Sequence, residues 1–249
     1  MKKYLITAAV FLTGTALANA GTVLTTTFGN AAQATATNVT LTNTWADDLD
    51  AEVRALLGTV NGNVTSLTNS SGATVSLQTS NPAGESTTFF SPNTNVGTGS
   101  PWTSVFTYSG TSGLTSIDGI NLQVGLFDSS GKWQTSYASW TGNVGFTAQI
   151  LDSSDSLLGS FTGQLGDGIT GQGSTKFDVN LSGTKLVLDS VDNFKLKISL
   201  TDNLSNGCFV GLQSVAYSGS VIPEPSTFGL LAGLGALALA GTRRRRRAK

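Results

Sequence analysis

Asp47, Asp48, Asp50 and Glu52 form the densest run of carboxylates in the chain. Paired carboxylates are the tools of glycoside hydrolysis, which needs two of them about 5 to 10 Å apart across the scissile bond. Asp48 and Glu52 stand one helical turn apart, so the spacing permits such a pair. The same spacing recurs on any solvated helix face, and acids in a first helical turn already serve there as a cap and as charge at the positive end of the helix dipole. No catalytic residue is therefore assigned and no enzyme is expected. The alternative reading is a carbohydrate-active enzyme, a glycoside hydrolase or lyase, working with Asp and Glu.

Metal and nucleophile chemistry find less support. Asp152-Ser153-Ser154-Asp155 and Gly166-Asp167-Gly168 lack the alternating ligand run of a calcium loop and read as turns. The chain has no histidine, which excludes the serine-histidine-aspartate triad and every histidine-ligated metal. Cys208 is the single cysteine, so no internal disulfide forms, and its place at a strand edge favours a small buried hydrophobe. Neither a metal site nor a cofactor is expected.

Aromatic side chains offer a binding chemistry instead. Trp102, Trp133, Tyr137 and Trp140 lie near polar turns, and an exposed flat ring is what a sugar can stack on. Trp102, Trp133 and Trp140 are the candidate sugar-stacking residues. Trp133 and Trp140 are separated by an odd number of steps, so in one unbroken strand they face opposite sides and at most one of the two belongs to an exposed platform. The competing reading for each is the core.

The elements that must position these residues are strands. Phe194, Leu196, Ile198 and Leu200 alternate with Lys195, Lys197 and Ser199, the period-two mark of a half-buried strand. The pattern recurs at Ile120, Leu122, Val124 and Leu126, at Val144, Phe146, Ala148 and Ile150, at Phe177, Val179 and Leu181, and at Val75 with Leu77. Turn clusters such as Asp128-Ser129-Ser130-Gly131 separate them. Many short strands at regular spacing predict an all-β fold, an antiparallel β-sandwich or jelly roll. One segment departs from this pattern. Trp45, Leu49, Val53 and Leu56 make a helical stripe, with Thr44 and Asp47 at capping-box spacing and Gly58 as the stop, so one short N-terminal helix is expected. Residues 82–101 read as a loop, and residues 21–80 are too polar to bury a core alone, so the body 21–222 is expected to be one unit.

Charge is divided unevenly along the chain. Residues 21–222 hold six basic side chains (Arg54, Lys132, Lys176, Lys185, Lys195 and Lys197) against fourteen acidic ones, a body near −8 that repels phosphate backbones and excludes nucleic acid as a partner. The basic residues outside the body mark both ends. Lys2 and Lys3, an apolar run and then Ala18-Asn19-Ala20 have the form of a secretory signal peptide, with signal peptidase cutting after Ala20. At the far end Pro223-Glu224-Pro225-Ser226 precedes an uncharged run of Leu, Ala and Gly, followed by Arg243 to Arg247. Residues 226–242 reach the roughly 17-residue lower limit for crossing a bilayer as a helix, and the arginines would hold the cytoplasmic side. Two prolines fix φ and remove backbone donors, which keeps the Pro-Glu-Pro segment extended.

This order of parts resembles the PEP-CTERM sorting signal of Gram-negative bacteria, over residues 223–249. The resemblance implies processing by an exosortase, a membrane-embedded cysteine protease-transpeptidase, with Pro223, Glu224 and Pro225 as its recognition residues. It also implies an inner-membrane intermediate, a final place at the cell surface or in the extracellular matrix, and association with exopolysaccharide production. The strand-like run from Cys208 to Gly219 is similar to the closing strand of jelly-roll modules that often bind carbohydrate, but where those frequently carry an acid this chain has Gln213. The expected protein is a non-catalytic, exported surface or matrix protein that contacts exopolysaccharide.

Overall fold

Strands with one apolar face must bury it against one another, and here they do so by closing a ring. The computed structural model describes residues 17–29, 35–78, 89–94, 96, 101–127, 144–165, 176–188, 191–201 and 209–221. In chain order the strands are β1 (Leu17–Gly29), β2 (Thr40–Trp45), β3 (Asn61–Asn69), β4 (Trp102–Ser109), β5 (Leu114–Phe127), β6 (Gly145–Leu151), β7 (Leu157–Gln164), β8 (Lys176–Val187), β9 (Asn193–Thr201) and β10 (Phe209–Val221). Among the described residues a 3-10 turn lies at Ala36–Asn38 and an α-helix, α1, at Ala51–Leu57. The order around the ring is β1-β10-β5-β8-β7-β6-β9-β4-β3-β2, and the neighbours pair antiparallel.

The all-β expectation holds, whereas the sandwich is corrected to a closed barrel of ten strands. The ladder is thinnest at two seams. β2 meets β3 at Thr40 and Asn63, and β7 meets β8 at Phe161 with Gly183 and Thr162 with Ser182. Between the seams run two five-stranded stretches, β2-β1-β10-β5-β8 and β3-β4-β9-β6-β7. Alternation sets which residues face inward but carries no information on whether two sheet edges join, and the join is what makes this a barrel. At the second seam the backbones come close enough that a Cβ on Gly183 would collide with the Ser160 carbonyl oxygen.

The expected inward rows are in place. Phe194, Leu196, Ile198 and Leu200 are buried, as are Ile120, Leu122, Val124 and Leu126, and Val144, Phe146, Ala148 and Ile150. Val179 and Leu181 are buried too, with Phe177 packed partly against the core. Rings occupy the centre: Phe90 lies 5.3 Å from Phe106 and 5.4 Å from Phe28, and Tyr108 stacks on Phe194 at 4.9 Å. Val75 and Leu77 are buried as expected, but not from a strand. They belong to a strap in which Leu77 bridges Pro92 and Phe90 exchanges two backbone bonds of 2.8 Å with Leu212. Pairing of β1 with β10 ends at Thr27 and Ser214, so the strap takes over the neighbouring place beside β10.

The helix also differs from its expected limits. It starts at Ala51, capped by Asp50, whose carboxylate accepts from the Glu52 amide at 2.8 Å; Thr44 and Trp45 belong to β2. The Thr44 and Trp45 backbone is already committed to the ladder with Thr25 and Leu24, and the Trp45 indole donates to the Gly58 carbonyl at 2.9 Å. Gly58 is the C-cap, with a φ of 70° that suits glycine.

The antiparallel register sorts the chain ends. Leu17 of β1 and Leu114 of β5 flank Val221 from its two sides, so the start of β1 and the end of β10 share one pole of the barrel. The arch between β4 and β5 lies there too, pinned by the Thr111 hydroxyl and amide to the Val191 and Asp192 carbonyls. Phe127, Phe209, Thr201 and Gly145 mark the opposite pole. Among the described residues no helix is long and apolar enough to cross a membrane. The expected sorting helix and most of the expected leader lie outside the described residues.

Candidate functional site

The C-terminal segment follows directly on β10. β10 is held between β5 and β1, and Val221, its last residue, is buried. Pro223, Glu224 and Pro225 follow within four residues and lie outside the described residues. Ala18 and Ala20 fall in β1, where the Ala18 backbone stands opposite Ser220.

The acidic cluster does not converge. Asp50 caps α1, and Asp47 binds Arg54 at 2.9 Å across an exposed surface. Asp48 sits in the turn ahead of the helix, so the helical spacing that would pair it with Glu52 is absent. Asp152 bonds the amides of Ser154 and Ser156 at 2.8 and 2.9 Å, the turn expected of that segment. Asp155 and Asp118 are engaged by Lys195 at 2.7 Å and Lys185 at 3.2 Å. Among the described residues no three His, Cys, Asp or Glu side chains group in a way that could hold a metal.

Trp102 is removed from the stacking candidates. It is fully buried, its indole N–H donates to the Val210 carbonyl at 3.1 Å, and its ring meets Phe90 edge-on at 6.1 Å, which leaves neither face for a sugar. Trp133 and Trp140 lie outside the described residues, between strands that end and begin at the pole away from Val221. Cys208 also lies outside them. Gln213 is half-buried beside the β10 bulge, and its side-chain oxygen finds no hydrogen-bond partner.

Sequence reasoning did not foresee the outer face of the β2-β1-β10-β5-β8 stretch. Register aligns Thr44, Thr25, Ala216, Asn121 and Asn180 in one row, and Thr42, Thr27, Ser214, Gln123 and Asp178 in the next. A shallow groove of about 450 Å³ opens on it, lined by Gly21, Thr22, Gly119, Asn121, Asn180 and Ser218 without a charged side chain. Asn121 donates to Asn180 at 2.9 Å, which uses one donor and one acceptor and leaves the remaining amide capacity for solvent or a ligand. Such a surface can hydrogen-bond a neutral, hydroxylated chain. The signal was present as outward Thr, Ser and Asn in the alternating runs, but which strands stand side by side is a matter of topology.

Inside the barrel a polar chain crosses the core. The Tyr108 hydroxyl meets the Thr26 hydroxyl at 3.1 Å, Thr26 donates to Asn43 at 2.7 Å, and Asn43 donates to the Val60 carbonyl at 3.2 Å. Burial pushes the Tyr108 phenol up to about 12, opposed by its bond to Thr26. Burial raises Tyr217 well above the usual tyrosine value, and the neighbouring Tyr108 adds to this.

The family model for the PEP-CTERM protein-sorting motif matches residues 221–247, the segment that leaves β10. No curated protein matches the chain. Among solved structures, an arabinose-bound GH51 α-L-arabinofuranosidase is similar at 9% identity and a TM-score of 0.32, covering 62% of this chain and 23% of that one. The chain thus spans about a quarter of that enzyme's length, and a likeness of this size carries no argument about fold or activity.

Proposed function

We propose that this chain, which carries the PEP-CTERM sorting motif, is an exported surface or matrix protein whose barrel is displayed after exosortase processing and contacts exopolysaccharide without catalysing a reaction on it. The observation that carries the reading is the motif at residues 221–247, which begins on the last residue of β10. In this reading signal peptidase removes residues 1–20, and the apolar helix then holds the barrel on the outer side of the inner membrane until the tail is cut. The hydroxyl- and amide-lined groove, which holds no charged side chain, supports a neutral glycan as the contact. Trp133 and Trp140 remain the aromatic candidates.

Two experiments test it. In cells with the exosortase, Pro223→Ala combined with Pro225→Ala is expected to trap the protein in the membrane fraction at its uncut mass. Wild-type processing of that variant would sink the sorting reading. The processed protein recovered from cells, incubated with the producing cell's polysaccharide, is expected to be retained without release of soluble sugar. Sugar release would instead establish a glycoside hydrolase or lyase.

A further inference from the structure

The expected leader cut falls inside a strand, and this has a structural consequence at the other end of the chain. Leu17, Ala18 and Asn19 of β1 stand opposite Val221, Ser220 and Gly219 of β10. A cut after Ala20 takes away all three partners and spares the pairing from Thr22 with Ser218 to Thr27 with Ser214. On their other side the same three residues stay paired to β5, opposite Leu114, Ser116 and Ile117. In the mature chain residues 219–221 are therefore a short sheet edge, about 10 Å long, with unpaired backbone groups.

That edge has a particular address. Pro223 stands two residues beyond it, and the prolines at 223 and 225 have no N–H to offer a partner strand. The nearest uninterrupted run of backbone donors and acceptors upstream of the motif is residues 219–221. From Val221 to Phe228, where the apolar run begins, seven residues span at most about 25 Å, so the edge stays within reach of an enzyme embedded in the membrane.

We propose that leader removal uncovers the strand edge at residues 219–221 and that the exosortase docks on it by adding a strand, so that export cleavage licenses tail cleavage. Strand addition takes its affinity from main-chain hydrogen bonds and holds the following segment extended, which suits a protease that must grip the Pro-Glu-Pro residues. This inference rests on the sorting function proposed above and assigns the surface the processing enzyme reads.

The test uses the full chain in cells that hold the exosortase. An unrelated cleavable leader is placed so that its cut falls before Leu17, leaving residues 17–20 on the exported protein to fill the edge. Tail processing is expected to slow at least tenfold, with the leader removed normally. The same extension carrying Ala18→Pro and Asn19→Pro cannot pair and is expected to restore the wild-type rate. Wild-type processing of the first variant, or failure of the prolines to restore it, overturns the proposal. Terminal sequencing of the processed wild-type protein distinguishes the premises: an N-terminus that retains residues 17–20 overturns the proposal while leaving sorting intact, and an uncut tail overturns the sorting reading itself. A wild-type dimer that the extension converts to a monomer, with tail processing unchanged, would show that the edge pairs with a second copy instead.

Discussion

Tyr108 and Tyr217 show how the same residue type serves stability differently within one core. Both are fully buried, and their rings meet edge-on at 5.9 Å, yet only Tyr108 places its hydroxyl on a partner, Thr26. The Tyr217 hydroxyl has no hydrogen bond of good geometry. Tyr108→Phe is expected to cost about 1 kcal/mol, while Tyr217→Phe is expected to cost less, because its hydroxyl makes no hydrogen bond of good geometry. The raised Tyr108 value also has a sign in pH. The native state holds its proton more tightly than the unfolded state, so this contribution is complete below pH 10.0 and is lost as pH rises towards about 12. Melting temperature measured from pH 9 to 12 should fall steeply above 10 in the wild type and less steeply in Tyr108→Phe; equal slopes would contradict the linkage.

Elements were legible in the sequence where one face is uniformly buried. Phe194 to Leu200 predicted β9 because each inward position is apolar and each outward position is Lys or Ser. The stripe from Trp45 to Leu56 misled for a physical reason: it crosses a strand end, a turn and a helix, and only Val53 and Leu56 of its four residues belong to α1. Val75 and Leu77 misled in the same way, since a strap pressed into a core shows strand-like alternation without a ladder. The seam between β7 and β8 had no signal at all, because its determinants are small residues at close backbone approach. Gly183→Val is expected to force that seam apart, since its Cβ would collide with the Ser160 carbonyl. Hydrogen exchange at Phe161 and Thr162, which pair across the seam, should rise well before exchange in β9 does; uniform protection in the variant would show the ring does not depend on this contact.

Across the whole molecule, the start of β1 and the end of β10 are brought to one pole, and a groove without a charged side chain is left along the side of the barrel. If that face takes a neutral glycan, its affinity should come from hydrogen bonds and not from long-range charge, despite the acidic body. Retention of the processed protein on its polysaccharide is then expected to change little between about 0.05 and 0.5 M salt, a range over which the Debye length shrinks to a few ångströms. Asn121→Ala with Asn180→Ala is expected to weaken retention about tenfold while leaving the melting temperature within a few degrees. Retention that collapses with salt, or that ignores both substitutions, would place the contact elsewhere.

The sequence by itself determined the sorting motif that follows β10 and the all-β class of the fold. A sorting motif and the inward and outward faces of a strand are both written in consecutive residues. Only the tertiary structure decided that the sheets close into a ring, that Trp102 is core, that Asp48 and Glu52 do not share a helix face, and that Asn121 and Asn180 meet across two strands. Those outcomes depend on which distant segments become neighbours, and pairing between residues 59 positions apart leaves no trace in the local pattern of either one.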